Sequence, residues 1–79
     1  MSAERVLVYT RQGCHLCAEA ETAVARICSD LELGFTTVDI DTDPELRAEY
    51  GDRVPVIMVD GREHGFFRVE EKRLRAALM

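Results

Sequence analysis

A run of six residues, Arg5-Val6-Leu7-Val8-Tyr9-Thr10, leads after a short turn into Cys14-His15-Leu16-Cys17. The run is rich in Val, Leu and Tyr, the composition of a buried strand. Gly13 frees the backbone just before Cys14, and a helix begins at the cysteine pair. A strand feeding a Cys-x-x-Cys helix inside a short α/β pattern reads as a redox site. It also places Cys14 where unpaired N–H groups and the positive end of the helix dipole favour a thiolate.

The helix predicted from about Cys17 to Leu31 carries Ala20, Val24, Ile27 and Leu31 on one apolar face, and Gly34 stands at a stop position. Residues 35–40, Phe35-Thr36-Thr37-Val38-Asp39-Ile40, form a second strand. Asp43-Pro44 starts a short helix that ends near Tyr50-Gly51, with Asp as N-cap and Pro at the first helical position. Residues 54–59 make a third strand, Asp60-Gly61 a two-residue hairpin turn, and residues 62–67 a fourth strand. The last helix covers 69–78, with Val69, Leu74, Ala77 and Leu78 facing inward. The order is β-α-β-α-β-β-α. Strands joined through a helix run parallel with a right-handed crossover, and hairpin strands run antiparallel. A four-stranded mixed sheet flanked by helices follows.

Seventy-nine residues give one domain, 1–79, because no second core fits in this length. The net charge of −5 argues against nucleic acid or an anionic membrane as the main partner. Met1-Ser2-Ala3-Glu4-Arg5 has neither the basic start nor the apolar stretch of a signal peptide, so the expected location is the cytoplasm. Three cysteines cannot complete a disulfide framework. In a reducing compartment a closely spaced pair belongs to catalysis or metal binding.

Thiolate chemistry casts Cys14 as the nucleophile and Cys17, inside the helix, as the thiol that resolves a mixed disulfide. His15 has two readings: a positive charge that favours the thiolate, or an exposed residue without a chemical role. Cys14, His15 and Cys17 are too few and too crowded for a closed zinc site. Cys28 lies eleven residues beyond Cys17, roughly 16 Å along a helix that rises ~1.5 Å per residue. It therefore cannot complete that site, and it reads as a small core residue. No metal is expected within one chain. Asp39, Asp41 and Asp43 lack the Gly and Glu that a calcium loop needs, and they read as a strand end plus a helix N-cap.

With these residues in place the chain resembles the small glutaredoxin-like proteins of the thioredoxin superfamily. The likeness spans nearly the whole chain: element order, size, the Cys14/Cys17 motif and the Val54-Pro55 step before the third strand. It implies an α/β, thioredoxin-like (glutaredoxin-type) fold, with Pro55 in the cis form facing a redox-active disulfide between Cys14 and Cys17. It also implies substrate binding around Arg11, Val54, Pro55 and Gly65. Glutathione-binding members carry a basic residue three before the first cysteine, matched by Arg11, and a Gly-Gly pair followed shortly by Asp. Here Gly65 is followed by Phe66, Val69 stands in place of the acid, and Arg53 replaces the usual Thr before Val-Pro. Half of the glutathione site is absent. At least one of Phe66 and Phe67 is expected in the core, the alternative being an apolar lip at the substrate.

The resemblance thus implies a thiol–disulfide oxidoreductase that reduces protein disulfides, without cofactor. Its partners would be a disulfide-containing protein or small thiol substrate and a thiol reductant or reductase. Two alternatives are a glutathione-dependent reductase working through Cys14 alone, and a metal- or iron–sulfur-binding module of the same fold. His15-Leu16 stands where familiar members place Pro or Gly beside the first cysteine, which leaves the redox potential open.

Overall fold

A computed structural model describes residues 4–79. The elements are β1 (Val6–Thr10), α1 (His15–Asp30), β2 (Phe35–Asp39), α2 (Pro44–Tyr50), β3 (Val56–Val59), β4 (Arg62–Phe66) and α3 (Glu71–Leu78), with a 3-10 turn at Ile40–Thr42. The sheet order is β2-β1-β3-β4. β1 and β2 are parallel, while β1/β3 and β3/β4 are antiparallel. The expected order and mixed sheet are both found.

The two faces of the sheet follow from side-chain alternation. Val6 and Val8 of β1 and Ile57 and Val59 of β3 are buried against Val24, Ile27 and Cys28 of α1 and Leu74 and Leu78 of α3. Leu31, Val69 and Ala77 are partly buried and pack on this cluster. Tyr9 points to the opposite face, where Tyr50 at the end of α2 stacks on it at 4.5 Å between ring centroids. Among the described residues α2 has no fully buried side chain, and this stack ties its last residue to the sheet.

Polar contacts fasten the layers at their ends. Arg5 grips both carboxylate oxygens of Asp60 at 2.9 Å and donates to the Leu78 carbonyl at 2.9 Å. The start of β1, the β3–β4 turn and the end of α3 are thereby joined, with a cation at a helix C-terminus. Glu71 of α3 accepts from Arg26 of α1 at 3.0 Å and from Arg75 at 2.8 Å, and Arg75 also reaches Asp30 at 2.7 Å.

Several boundaries differ from the sequence expectation, each for a local reason. α1 begins at His15, because Cys14 itself is the N-cap. It ends at Asp30, and the left-handed residue beyond it is Glu32 (φ 58°) rather than Gly34. β2 stops at Asp39, whose carboxylate accepts the Asp41 N–H at 2.9 Å and draws Ile40 into the 3-10 turn. β3 starts at Val56, since Pro55 has no N–H for the ladder. β4 stops at Phe66 because Phe67 is left-handed. Val69 and Glu70 precede α3, with Glu70 extended at its N-cap. The Asp60-Gly61 turn has positive φ at both residues (53° and 81°), as a type I′ hairpin requires. Asp43 caps α2 by accepting the Glu45 N–H at 2.9 Å.

Candidate active site

Thr10 closes β1 and is buried, its hydroxyl directed at the Val38 carbonyl of β2 at 3.5 Å. Gly13 (φ 74°) turns the backbone so that Cys14 lands at the N-cap of α1. Its sulfur accepts the Cys17 N–H at 3.1 Å, and its carbonyl accepts the Ala18 N–H at 3.2 Å. The sulfur thus fills the role a capping oxygen usually fills, next to helix N–H groups that stabilise negative charge there. Cys14 and Cys17 are joined by a disulfide with their Cα atoms 5.2 Å apart. Cys14 is partly exposed, whereas Cys17 is only 2 % exposed. The first cysteine of the pair thus lies nearer the surface than the second.

His15 points to water, 87 % exposed, with Nε2 2.8 Å from Glu19 one turn along the helix. The imidazole is thus engaged with a carboxylate on the outer surface of α1. Cys28 is buried on the core side of the same helix, and burial pushes its thiol up from its ordinary value. It is a free cysteine and a core residue, as expected. No cluster of three or more His, Cys, Asp or Glu among the described residues could hold a metal ion.

Pro55 is fully buried in a cis Val54-Pro55 peptide, directly before β3. Its carbonyl accepts the Phe67 N–H at 2.9 Å, which ties the end of β4 to this step. Gly65 pairs with Ile57 beside an irregularity in the β3–β4 ladder. Arg11 sits in the loop before Cys14 and pairs with Asp41 at 3.3 Å. The cysteine loop and the Val54-Pro55 loop follow β1 and precede β3, which are antiparallel neighbours, so both emerge at one end of the sheet.

The phenylalanines depart from expectation: neither enters the core. Phe66 is 46 % and Phe67 44 % exposed, with their rings edge to face at 5.0 Å. Phe67 is held away from the interior by its left-handed backbone (φ 67°), a rare conformation for an aromatic residue. Its ring, Leu16 and Val69 line a groove beside the cysteine turn.

Two contributors had no evident sequence signal. The Tyr9–Tyr50 stack continues into Arg53, whose guanidinium carbon lies 5.5 Å from the Tyr50 ring centroid. Arg53 also meets Glu63 of β4 at 3.3 Å and Glu49 of α2 at 3.6 Å. It thereby anchors the residues just before Val54-Pro55. The strand alternation put Tyr9 opposite Val8, but nothing local named Tyr50 as its partner.

A family profile described as Glutaredoxin-like domain (DUF836) matches residues 5–79. An uncharacterized protein of Mycobacterium tuberculosis is 43% identical over 81 residues, covering 96% of this chain and 84% of that protein. The X-ray structure of a structural-genomics target protein from X. campestris is 39% identical. It superposes with a TM-score of 0.76 over 92% of this chain and 93% of that one. The crystal structure of glutaredoxin C1 from Populus tremula x tremuloides shares the fold alone, at 21% identity and a TM-score of 0.57, covering 95% and 79% of the two chains.

Proposed function

This chain belongs to the glutaredoxin-like domain family and has a thioredoxin-like fold, and from that premise we propose that it is a dithiol–disulfide oxidoreductase that reduces protein disulfides. The observation that carries the proposal is the Cys14 sulfur, which caps α1 and accepts the Cys17 N–H at 3.1 Å while remaining accessible. A thiolate is the attacking species, and a helix N-terminus bearing a Cys-x-x-Cys pair favours it.

In the reduced protein the Cys14 thiolate attacks one sulfur of the substrate disulfide. A Cys14–substrate disulfide forms, and the other substrate sulfur leaves as a thiolate that takes a proton from water. Cys17 then loses its proton and attacks the Cys14 sulfur. The Cys14–Cys17 bond forms, and the second substrate sulfur departs. That second sulfur leaves as a thiolate and takes the proton that Cys17 gave up, so the substrate has gained two electrons from the dithiol and two protons, one from water and one from Cys17. A thiol reductant or reductase returns the pair to its reduced form. Arg11, Val54, Pro55 and Gly65 are the proposed substrate-binding residues around this step, and the cytoplasm is the proposed setting.

Glutathione-dependent turnover through Cys14 alone has less support, because Phe66 and Val69 stand where that chemistry would need glycine and acid. The two readings separate on Cys17→Ser, because retained activity of that variant on a glutathionylated substrate would support the monothiol reading. Cys17→Ser is expected to accumulate a mixed disulfide between Cys14 and a disulfide-bonded protein substrate, and Cys14→Ser is expected to be inert. Full activity in both single variants would overturn the proposal.

A further inference from the structure

The connection between α2 and β3, residues 51–55, brings Val54-Pro55 to the cysteine end of the sheet, yet little of its own backbone holds it there. Gly51 donates to the Arg47 carbonyl and Arg53 to the Tyr50 carbonyl, each at 2.9 Å and both back into α2. At the far end the Pro55 carbonyl accepts the Phe67 N–H. Among the described residues no backbone hydrogen bond falls on Val54, and α2 buries no side chain fully. The position of Val54 therefore depends on what its neighbours' side chains grip.

Arg53 supplies that grip. Its Nη2 lies 3.3 Å from Glu63 and 3.6 Å from Glu49, and its Nη1 lies 3.7 Å from Asp52. Glu63 stands opposite Met58 in the β3–β4 ladder, hence on the sheet face that Tyr9 occupies. The guanidinium also stands 5.5 Å from the Tyr50 ring centroid; Tyr50 stacks on Tyr9, and Tyr9 pairs with Val56 at the start of β3. The contacts thus form a closed circuit through α2, β1, β3 and β4 around the Val54-Pro55 step. Its Nε is buried without an acceptor among the described residues. An unmatched buried donor is disfavoured, so stability alone does not explain an arginine here.

We propose that Arg53 is a positioning residue for disulfide exchange: tethered to Glu63 and Glu49, it holds Val54-Pro55 where a substrate chain docks beside Cys14. This role rests on the reading of Val54 and Pro55 as substrate-binding residues and of Cys14 as the attacking thiol. The partners of Arg53 are carboxylates and the Tyr50 ring, not the cysteines. Its loss frees residues 51–54 to sample other positions, so a docking substrate must bear the cost of ordering them. Binding weakens, while the chemical step keeps its rate. Lysine retains the charge but neither the planar fork nor the stack on Tyr50.

The test follows initial rates of the full-length protein over a concentration series of one disulfide-bonded peptide, with the thiol/disulfide midpoint of the Cys14–Cys17 pair measured alongside. Arg53→Met is expected to raise KM about fivefold, with kcat and the midpoint ratio within about twofold of the unmodified protein. Glu63→Gln, at the other end of the contact, is expected to raise KM about threefold, and Arg53→Lys to bring KM back to within about twofold. A lower Tm with unchanged KM in Arg53→Met, or a fall in kcat at constant KM, would overturn the positioning role while leaving the dithiol chemistry standing. Should Arg53→Met fail to fold, unchanged KM in Glu63→Gln would overturn it equally. Failure of the unmodified protein to reduce either the peptide or oxidised glutathione would instead overturn the dithiol reading, and the positioning role with it.

Discussion

Replacing Tyr50 with Ala tests whether one aromatic stack holds α2 against the sheet. Tyr50 is partly buried, stacks on Tyr9 at 4.5 Å with an interplanar angle of 16°, and lies under the Arg53 guanidinium. An enclosed aromatic side chain buries about 150–250 Å². Taking roughly half of that as lost on truncation, ~100 Å² at ~25 cal/mol per Å² gives about 2.5 kcal/mol. Ring–ring geometry adds about 0.5–1.5 kcal/mol beyond area. The expected loss is therefore about 3 kcal/mol. A domain of this size has a total stability of about 4–12 kcal/mol at roughly 0.05–0.15 kcal/mol per residue, so Tyr50→Ala should be folded but visibly weakened. Urea unfolding followed by far-UV circular dichroism measures the loss. A cycle with Tyr9→Ala isolates the pair, with an expected coupling of about 1 kcal/mol. A coupling below about 0.3 kcal/mol would refute the claim that the stack anchors α2.

Further outcomes follow from charge and burial. Glu71 is held at a pKa of about 2, below its ordinary value of 4.5, first by the hydrogen bond from Arg26 and then by that from Arg75. Because the folded value is the lower one, its stabilisation is complete above about pH 4.5 and disappears as the pH falls from 4.5 towards 2. Glu71→Gln should therefore flatten the fall in Tm across that window, and an unchanged slope would contradict this assignment. Cys28 is buried with its thiol pushed up by desolvation, so the reduced native protein should consume one charged disulfide reagent quickly, Cys14 attacking it and Cys17 displacing the second half, while Cys28 reacts only after unfolding. Equally fast reaction of Cys28 in the native protein would show that α1 does not shield it.

Much of this fold was legible because its signals are local. The Val6/Val8 alternation, the 20-24-27 face of α1, the Asp43-Pro44 start and the Asp60-Gly61 turn each specify their own geometry, and the structure reproduces them. The cysteine pair was equally plain, since its chemistry depends on spacing and on a helix start. What escaped was set by tertiary contact. Phe66 and Phe67 read as core candidates on hydrophobicity, but the Phe67-to-Pro55 hydrogen bond fixes a backbone angle that turns the ring outward. Gly34 read as a helix stop, yet Glu32 takes the left-handed position two residues earlier. Arg53 carried no local clue to its place between Glu49, Tyr50 and Glu63, because those partners come from α2 and β4.

The central claim is that Cys14 and Cys17 open and close as a single two-electron unit. Equilibrating the protein in graded thiol/disulfide buffers, quenching with a mass-tagged alkylating agent and counting tags at each cysteine tests it directly. The account predicts that Cys14 and Cys17 gain protection together in one transition, close to 30 mV per tenfold change in ratio, while Cys28 takes no part. Independent modification of Cys14 and Cys17 across all buffers, or protection of one of them only by pairing with Cys28, would contradict it.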